Sequence, residues 1–464
     1  MNNIKSLKKS PLLLSLLIVA AISGCSSLDA PQQLTEELQL TEEISARYQA
    51  DPQWWQAYHD KQLNNLVHTA LDNNLDLAKS AINVNRALYQ AKLIGADLVP
   101  SFSGGVKASA SENLKSSQGD SRSYGGNIGV NYELDLWRKL ADSASAQKWE
   151  YQATIEDKEA ARLTLINNVV DTYYHLAYIH SAINITKNNI THYQKIQQLA
   201  QTRYTAGKTS VLPFEQAKQS LLSAQNTLLD LQSQQKTDEQ ILRNLLNLKP
   251  TDSLNLSFTD LASVKSPGVW LDVPLSVLAN RPDLKAAEYR LQKAFKNAKA
   301  SQKSWYPTVT IGASVSSSSD AARTAFNFPF TSGNISVDFP FLKWNTVKWN
   351  VKISESDYEK SRLDFEQNVT TALNEVDVYY YSYQQNRSTL ANLEKKYQAD
   401  SKIAKYYHTR YINGANELSD WLSALNTENS SRQSVLNARY QLLKYENLIY
   451  KAMAGRYTEW QGKL

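Results

Sequence analysis

The sequence predicts a mixed α and β fold built twice over, each copy running helix, strand, strand, very long helix, return helix. Three observations carry this. The chain repeats itself at a fixed offset, each copy holds a pair of alternating segments, and two stretches, 138–206 and 342–413, contain neither Pro nor Gly.

The repeat fixes the frame. Asn73, Asp76 and Leu77 match Asn280, Asp283 and Leu284, and Ala91-Lys92 matches Ala298-Lys299. Pro100, Gly105 and Trp137 match Pro307, Gly312 and Trp344. Tyr173-Tyr174 matches Tyr380-Tyr381, and Arg203, Tyr204 and Gly207 match Arg410, Tyr411 and Gly414. Every pair is 207 residues apart. Chance matches would not hold one register over most of each half, so both halves are expected to adopt one fold.

Before the repeats, residues 1–24 read as a secretory leader. Lys5, Lys8 and Lys9 precede an apolar run, Leu12 to Ile22, too short to span a bilayer as a stable helix. The run ends Ile22-Ser23-Gly24-Cys25, which resembles a bacterial lipobox. Cys25 is the only cysteine, so intrachain disulfides and cysteine metal clusters are excluded. Its expected modification is a diacylglycerol thioether, with Ser26 directing the product to the outer membrane. That covalent lipid is the only prosthetic group expected. Removing three leader lysines from the net charge of +5 leaves +2, which gives no argument for nucleic acid as a partner.

Each copy opens with a helical stretch, Leu63 to Leu98 and Leu275 to Ser304, ended by Pro100 and Pro307. Strands are expected at about 101–111 and 123–136, then at about 307–317 and 333–342. Phe102, Val106, Ala108 and Ala110 alternate with Ser103, Lys107, Ser109 and Ser111. Tyr124, Ile128, Val130 and Tyr132 do the same against Asn127 and Asn131. The second copy shows Val309, Ile311, Ala313 and Val315, then Ile335, Val337, Phe339 and Phe341. Period two gives each strand one apolar and one polar face. A soluble sandwich shows the same alternation, but each strand is also long enough to cross a membrane tilted. Four strands cannot close a barrel, and an open edge in lipid leaves backbone groups unpaired. A membrane reading therefore requires several chains. Trp137, Trp305, Tyr306 and Trp344 flank the strand bases, suiting either an interfacial belt or a packed core.

The long helices follow. Rich in Ala, Gln, Leu, Lys and Glu, a helix of this length extends roughly 100 Å. That suits a coiled coil or a helical tube. Gly207 and Gly414 permit tight turns into the return helices, Leu212 to Leu248 and Leu418 to Met453. The expected segments are thus a leader (1–24), a lipidated N-terminal segment (25–62), a first repeat (63–248), a linker (249–274), a second repeat (275–453) and a tail (454–464).

The lipobox, the duplicated helix–strand–strand–helix–helix order, Arg-Tyr-x-x-Gly before each return helix and Trp54-Trp55 after Pro52 together resemble the TolC-like outer-membrane efflux factors, lipidated branch. The resemblance covers nearly the whole mature chain. It implies an outer-membrane β-barrel, four strands per protomer and twelve in a homotrimer, continued by a long periplasmic α-helical barrel. The linker and tail would form an equatorial girdle. It implies outer-membrane lipid, a periplasmic adaptor (membrane fusion) protein and an inner-membrane transporter as partners, and passive conduction of drugs or other small molecules. At the periplasmic aperture it places Tyr411, Asn416, Asp420 and Ser423. Ser423 and Asn416 replace an aspartate and an arginine of the family pattern. Tyr204, Gly207, Glu215 and Gly414 fall at the adaptor-facing tip. Three copies of Asp420 around one axis would attract cations; the alternative is a carboxylate stabilised by a helix dipole.

No catalytic constellation is present. His175 and His180 are five apart, which puts them on different helix faces. There is no phosphate loop and no nucleophile elbow. Methionine occurs only as Met1 and Met453, which argues against a thioether route for copper. Competing readings are a protein-secretion duct, a lipid-tethered periplasmic coiled-coil scaffold, and a lipoprotein hydrolase. The last lacks an acid–base pair.

Overall fold

The computed structural model describes residues 50–112, 121–258, 260–270 and 275–457. The leader, Cys25 and the end of the tail lie outside these residues. By compactness the chain divides into two units, each described by itself.

The first unit holds Arg86–Ala153 and Ala287–Phe365. Its centre is one antiparallel sheet in the order β1-β2-β3-β4. These strands are β1 (Ser101–Ser111), β2 (Ser121–Leu134), β3 (Thr308–Ser319) and β4 (Phe330–Asp338). β2 and β3 come from different repeats and pair along their length, from Tyr124 opposite Ser319 to Leu134 opposite Val309. β4 stops earlier than the alternation suggests. Phe339 and Phe341 leave the ladder because Pro340 cannot donate to it, and Pro340–Lys343 turns as a 3-10 helix. β3 runs to Ser319, slightly past its expected end at about 317. Ser123 and Ser318 lie across the β2–β3 ladder, 3.4 Å between hydroxyls.

Helical segments before and after the strands complete this unit. Helix α5 (Pro282–Gln302) packs Leu291, Ala298 and Phe295 against Tyr358. α3 (Lys139–Thr205) starts here with Asp142, which is buried and receives Lys303 and, at 3.5 Å, Lys296. Glu150 takes Lys293 at 2.9 Å. At the strand bases Trp137 stacks on Tyr306 with centroids 4.9 Å apart and donates to Pro307 O at 2.8 Å. Trp137 and Trp344 are both exposed.

The second unit comprises Thr154–Ala286, Glu366–Leu464 and the segment ending at Asn85, within the described residues. The opening helix of the first repeat is not continuous. It breaks at Asn74 into α1 (Lys61–Asn73) and α2 (Leu75–Gly95). The second repeat breaks at the equivalent position, Arg281: Leu275–Asn280 is 3-10, and α5 begins at Pro282. Proline sits well at a helix start because its missing N–H has no partner there.

The long helices have 67 residues in α3 and 69 in α6 (Trp344–Ile412). The return helices are α4 (Leu212–Leu245) and α7 (Leu418–Ala452). The principal core gathers Trp54, Trp55, Leu63 and Val67 with Ile166, Tyr173 and Tyr174 of α3 and Leu443 of α7. The linker adds Leu256, Phe258 and Leu261 and is therefore a packed side structure. Asp51, before α1, and Arg456, after the return helix of the second repeat, exchange backbone hydrogen bonds of 2.8 and 3.0 Å. Among the described residues no helix is long and apolar enough to cross a membrane.

Candidate functional site: sheet faces and glycine turns

The sheet largely sorts its side chains by chemistry, Arg122 on the apolar face and Phe330 on the polar face being among the exceptions. One face carries Phe102, Val106, Ile128, Ile311, Ile335 and Val337, all exposed. The opposite face carries serine, threonine and asparagine, with Lys107, Glu133 and Asp338 its charged positions among the described strand residues. An exposed apolar face of this extent needs a cover. Among the described residues, β1 and β4 each keep one edge with no strand beside it.

The second feature is the pair of turns joining long and return helices. Gly207 and Gly414 take φ of 68° and 70°, a left-handed conformation in which an L side chain is strained. Each closes a Schellman motif. Lys208 N donates to Arg203 O at 2.9 Å, and Ala415 N to Arg410 O at 2.8 Å.

Beneath these turns a small core holds Tyr193, Ile196 and Ala200 of α3, Ala217 and Leu221 of α4, and Tyr411, Leu418 and Leu422. Tyr411 is only 5% exposed. It stacks against Trp421 at 5.4 Å, with the Arg203 guanidinium 4.9 Å from its ring centroid. Asn416 is also committed: its Oδ1 accepts from Arg410 Nε at 3.1 Å, while Arg410 Nη2 donates to Ala415 O at 3.0 Å. The four residues expected at the aperture thus separate. Tyr411 and Asn416 build the turn, whereas Asp420 and Ser423 are exposed. Three residues apart in α7, these two share a face.

Asp420 and Ser423 line a cleft of about 250 Å³ with Tyr407 and Asp400. Sequence reasoning missed Asp400. The Lys396 ammonium 2.7 Å away, helped by the Ser431 hydroxyl, holds its carboxyl below the usual range. Lys396 and Asp400 at i,i+4 were a visible signal. Nothing in the sequence marked Ser431 as their third member. On the other turn Tyr204, Gly207 and Glu215 are exposed, and Glu215 meets Lys218 at 3.4 Å. His175 pairs with Asp238 at 2.5 Å, and His180 packs on Phe258. Among the described residues no group of three or more His, Cys, Asp or Glu could hold a metal.

An open-edged sheet with one apolar and one hydroxyl-rich face, in a chain whose other elements are long helical hairpins with tight glycine turns, defines an outer-membrane channel protein. The sequence model of the family described as outer membrane efflux protein matches residues 66–248 and 273–455. The chain belongs to that family. A Haemophilus influenzae protein named only as uncharacterized is 48% identical, covering 97% of this chain and 99% of its own. Toxin and drug export protein A of Aggregatibacter actinomycetemcomitans is 45% identical, with 96% and 98% covered. Among solved structures the CusC crystal structure superposes with a TM-score of 0.82 at 22% identity, covering 93% of this chain and all of CusC's. The two family matches fall on the two repeats read from the 207-residue offset. The protein is an outer-membrane efflux channel.

Proposed function

We propose that the channel is the passive outer-membrane duct of a tripartite pump for drugs or other small molecules. It works as a homotrimer with twelve shared strands, fed by an inner-membrane transporter through a periplasmic adaptor. The observation that carries the assembly is the sheet. Four strands with two free edges and an exposed apolar face are stable in lipid only when further chains close the ring. The apolar face then meets lipid and the hydroxyl face lines the conduit. In this reading Cys25 bears the lipid anchor, and Tyr204, Gly207, Glu215 and Gly414 present the tip to the adaptor. Asp420 and Ser423 line the aperture, with Tyr411 and Asn416 positioning them from the turn. The reaction is transport without bond making, so no residue is assigned a catalytic role.

Planar-bilayer recordings of the purified mature protein beside Asp420→Ala test this reading. Discrete cation-preferring channels whose selectivity weakens in the variant are expected. Channels indifferent to the substitution remove Asp420 from the aperture, and a folded monomer that never inserts overturns the duct.

The 45% identity to a toxin and drug export protein supports a second reading, in which a protein toxin shares the duct. Deleting the gene and measuring both toxin in the medium and drug susceptibility separates the two cargoes.

A further inference from the structure

The polar face of the sheet carries a device that appears twice. Gly105 in β1 pairs with Asn127 in β2, and Gly312 in β3 pairs with Asn334 in β4. Both members of the second pair lie 207 residues after those of the first, so each hairpin places one glycine opposite one asparagine. Gly312 has a second asparagine on its other side, Asn131 of β2. The amides occupy the space a side chain at the glycine would fill. A Cβ on Gly312 would lie 2.5 Å from Asn334 Oδ1 and 2.8 Å from Asn131 Oδ1. A Cβ on Gly105 would lie 3.2 Å from Asn127 Oδ1. Real Cβ atoms do not approach oxygen as closely as the two contacts over Gly312, so any other residue there would displace both amides. On the opposite face a Cβ on Gly104 would meet nothing closer than 3.8 Å, and one on Gly333 nothing closer than 3.9 Å. The three asparagines are exposed, so burial does not force them down.

We propose that these glycine–asparagine pairs set the bore of the channel through the sheet. Each glycine is a notch in which the amide of its cross-strand partner lies along the wall and does not reach into the conduit. At these levels the wall then presents backbone height with amide chemistry, polar enough to stay wet and with no side chain rising from the glycine. The charges of this face sit at other levels, on Lys107, Glu133 and Asp338, so the notches act on bulky solutes by size. The inference rests on the hydroxyl-rich face being the conduit wall, and the test separates the two ideas.

Thr310 shares the polar face with Gly312 and is paired with Glu133 and Ser336, nearer the strand base. Ile311 is its neighbour on the apolar face. Thr310→Cys and Ile311→Cys would be expressed in whole cells and labelled from outside with membrane-impermeant maleimide–polyethylene glycols of graded size. The otherwise unaltered protein supplies the background. Labelling of Thr310→Cys, and not of Ile311→Cys, up to a defined reagent size is expected. Adding Gly312→Ala should slow labelling by reagents near that size several-fold and leave the smallest unaffected. Adding Asn131→Ala with Asn334→Ala should admit larger reagents, and this arm decides the matter if the Gly312 variant fails to reach the membrane. Labelling of Thr310→Cys with an unchanged size limit in both backgrounds overturns the notches and keeps the conduit face. Labelling of Ile311→Cys alone, or of neither cysteine, overturns the conduit face and the notches with it.

Discussion

Asn74 and Arg281, 207 residues apart, perform the same task in the two repeats. Asn74 Nδ2 donates to Leu245 O at 3.0 Å, and Arg281 Nη1 donates to Ala452 O at 3.1 Å. Leu245 and Ala452 are themselves equivalent, each the last residue of a return helix. Such carbonyls have no partner within their own helix. A buried side chain from a helix break therefore closes the end of each return helix. Asn74 also caps α2, its Oδ1 accepting from Asp76 N and Leu77 N at 3.0 Å each. Arg281 instead binds Asp283 at 2.7 Å and Glu375 at 2.9 Å.

Asn74→Ala should cost about 1–3 kcal/mol, from one lost cap and one partly buried carbonyl left unpaired. Arg281→Lys should not rescue Arg281→Ala, because an ammonium cannot reach two carboxylates and a carbonyl with the guanidinium fork. Denaturant unfolding of the detergent-solubilised protein checks both. Full rescue by lysine would show that charge alone matters at that site.

Glu446 is fully buried, and among the described residues no cation bonds to it. Oε1 accepts from Gly268 N at 2.6 Å, Ser266 at 2.9 Å and Tyr450 at 3.0 Å, and Oε2 from Tyr58 at 3.3 Å. Burial pushes its carboxyl above the usual range despite these four donors. A raised folded-state pKa makes a contribution that is complete below the unfolded value, about 4.3, and lost as pH rises through the folded one. The unfolding midpoint should therefore fall as pH rises above about 4.3. Glu446→Gln should abolish that component and equal or exceed the parent at neutral pH. Glu446→Ala should be worse than either, by about 1–3 kcal/mol for each donor stranded. Thermal unfolding between acid and neutral pH measures all three, and a parallel slope in the glutamine variant would clear Glu446.

At the turns nothing lies within 4 Å of a Cβ built on Gly207 or Gly414. Alanine there pays only for its left-handed backbone, about 1–2 kcal/mol, and asparagine less. The effect should stay local. Trypsin cleavage after the exposed Lys208 should accelerate in Gly207→Ala while the global unfolding midpoint scarcely moves. A midpoint shift as large as that of Asn74→Ala would contradict the local character of the turn.

The two sheet faces should respond oppositely to charge. Ile335→Arg places a cation on the apolar face and should destabilise insertion into lipid by about 2–4 kcal/mol if mid-membrane. Ser332→Arg, on the polar face of the same strand, should be nearly neutral. Urea titration of protein folded into lipid vesicles compares them, and equal losses would argue against lipid on the apolar side.

Much of the fold was legible because it is written in local rules. Period two, proline at strand and helix ends, and glycine where φ is positive each act on a few neighbouring residues. The break at Asn74 was not legible, since the flanking pattern remains helical and the polar residue gains its purpose only from Leu245, 171 positions away. The residues expected at the aperture divided for a related reason. Tyr411 and Asp420 both lie beside the turn, and only packing against Trp421 and Arg203 puts one inside and leaves the other in solvent.

By itself the sequence determined the duplication, the four alternating strands, the long helices and the glycine turns, because these follow from backbone geometry and side-chain period. Tertiary structure alone decided which polar groups close which helix ends, that Glu446 sits in the core among four donors, and that Gly312 lies beneath two asparagines. Those relationships join residues distant in the chain, and a hydrogen bond or a steric notch exists only once the fold has brought both partners to the same place.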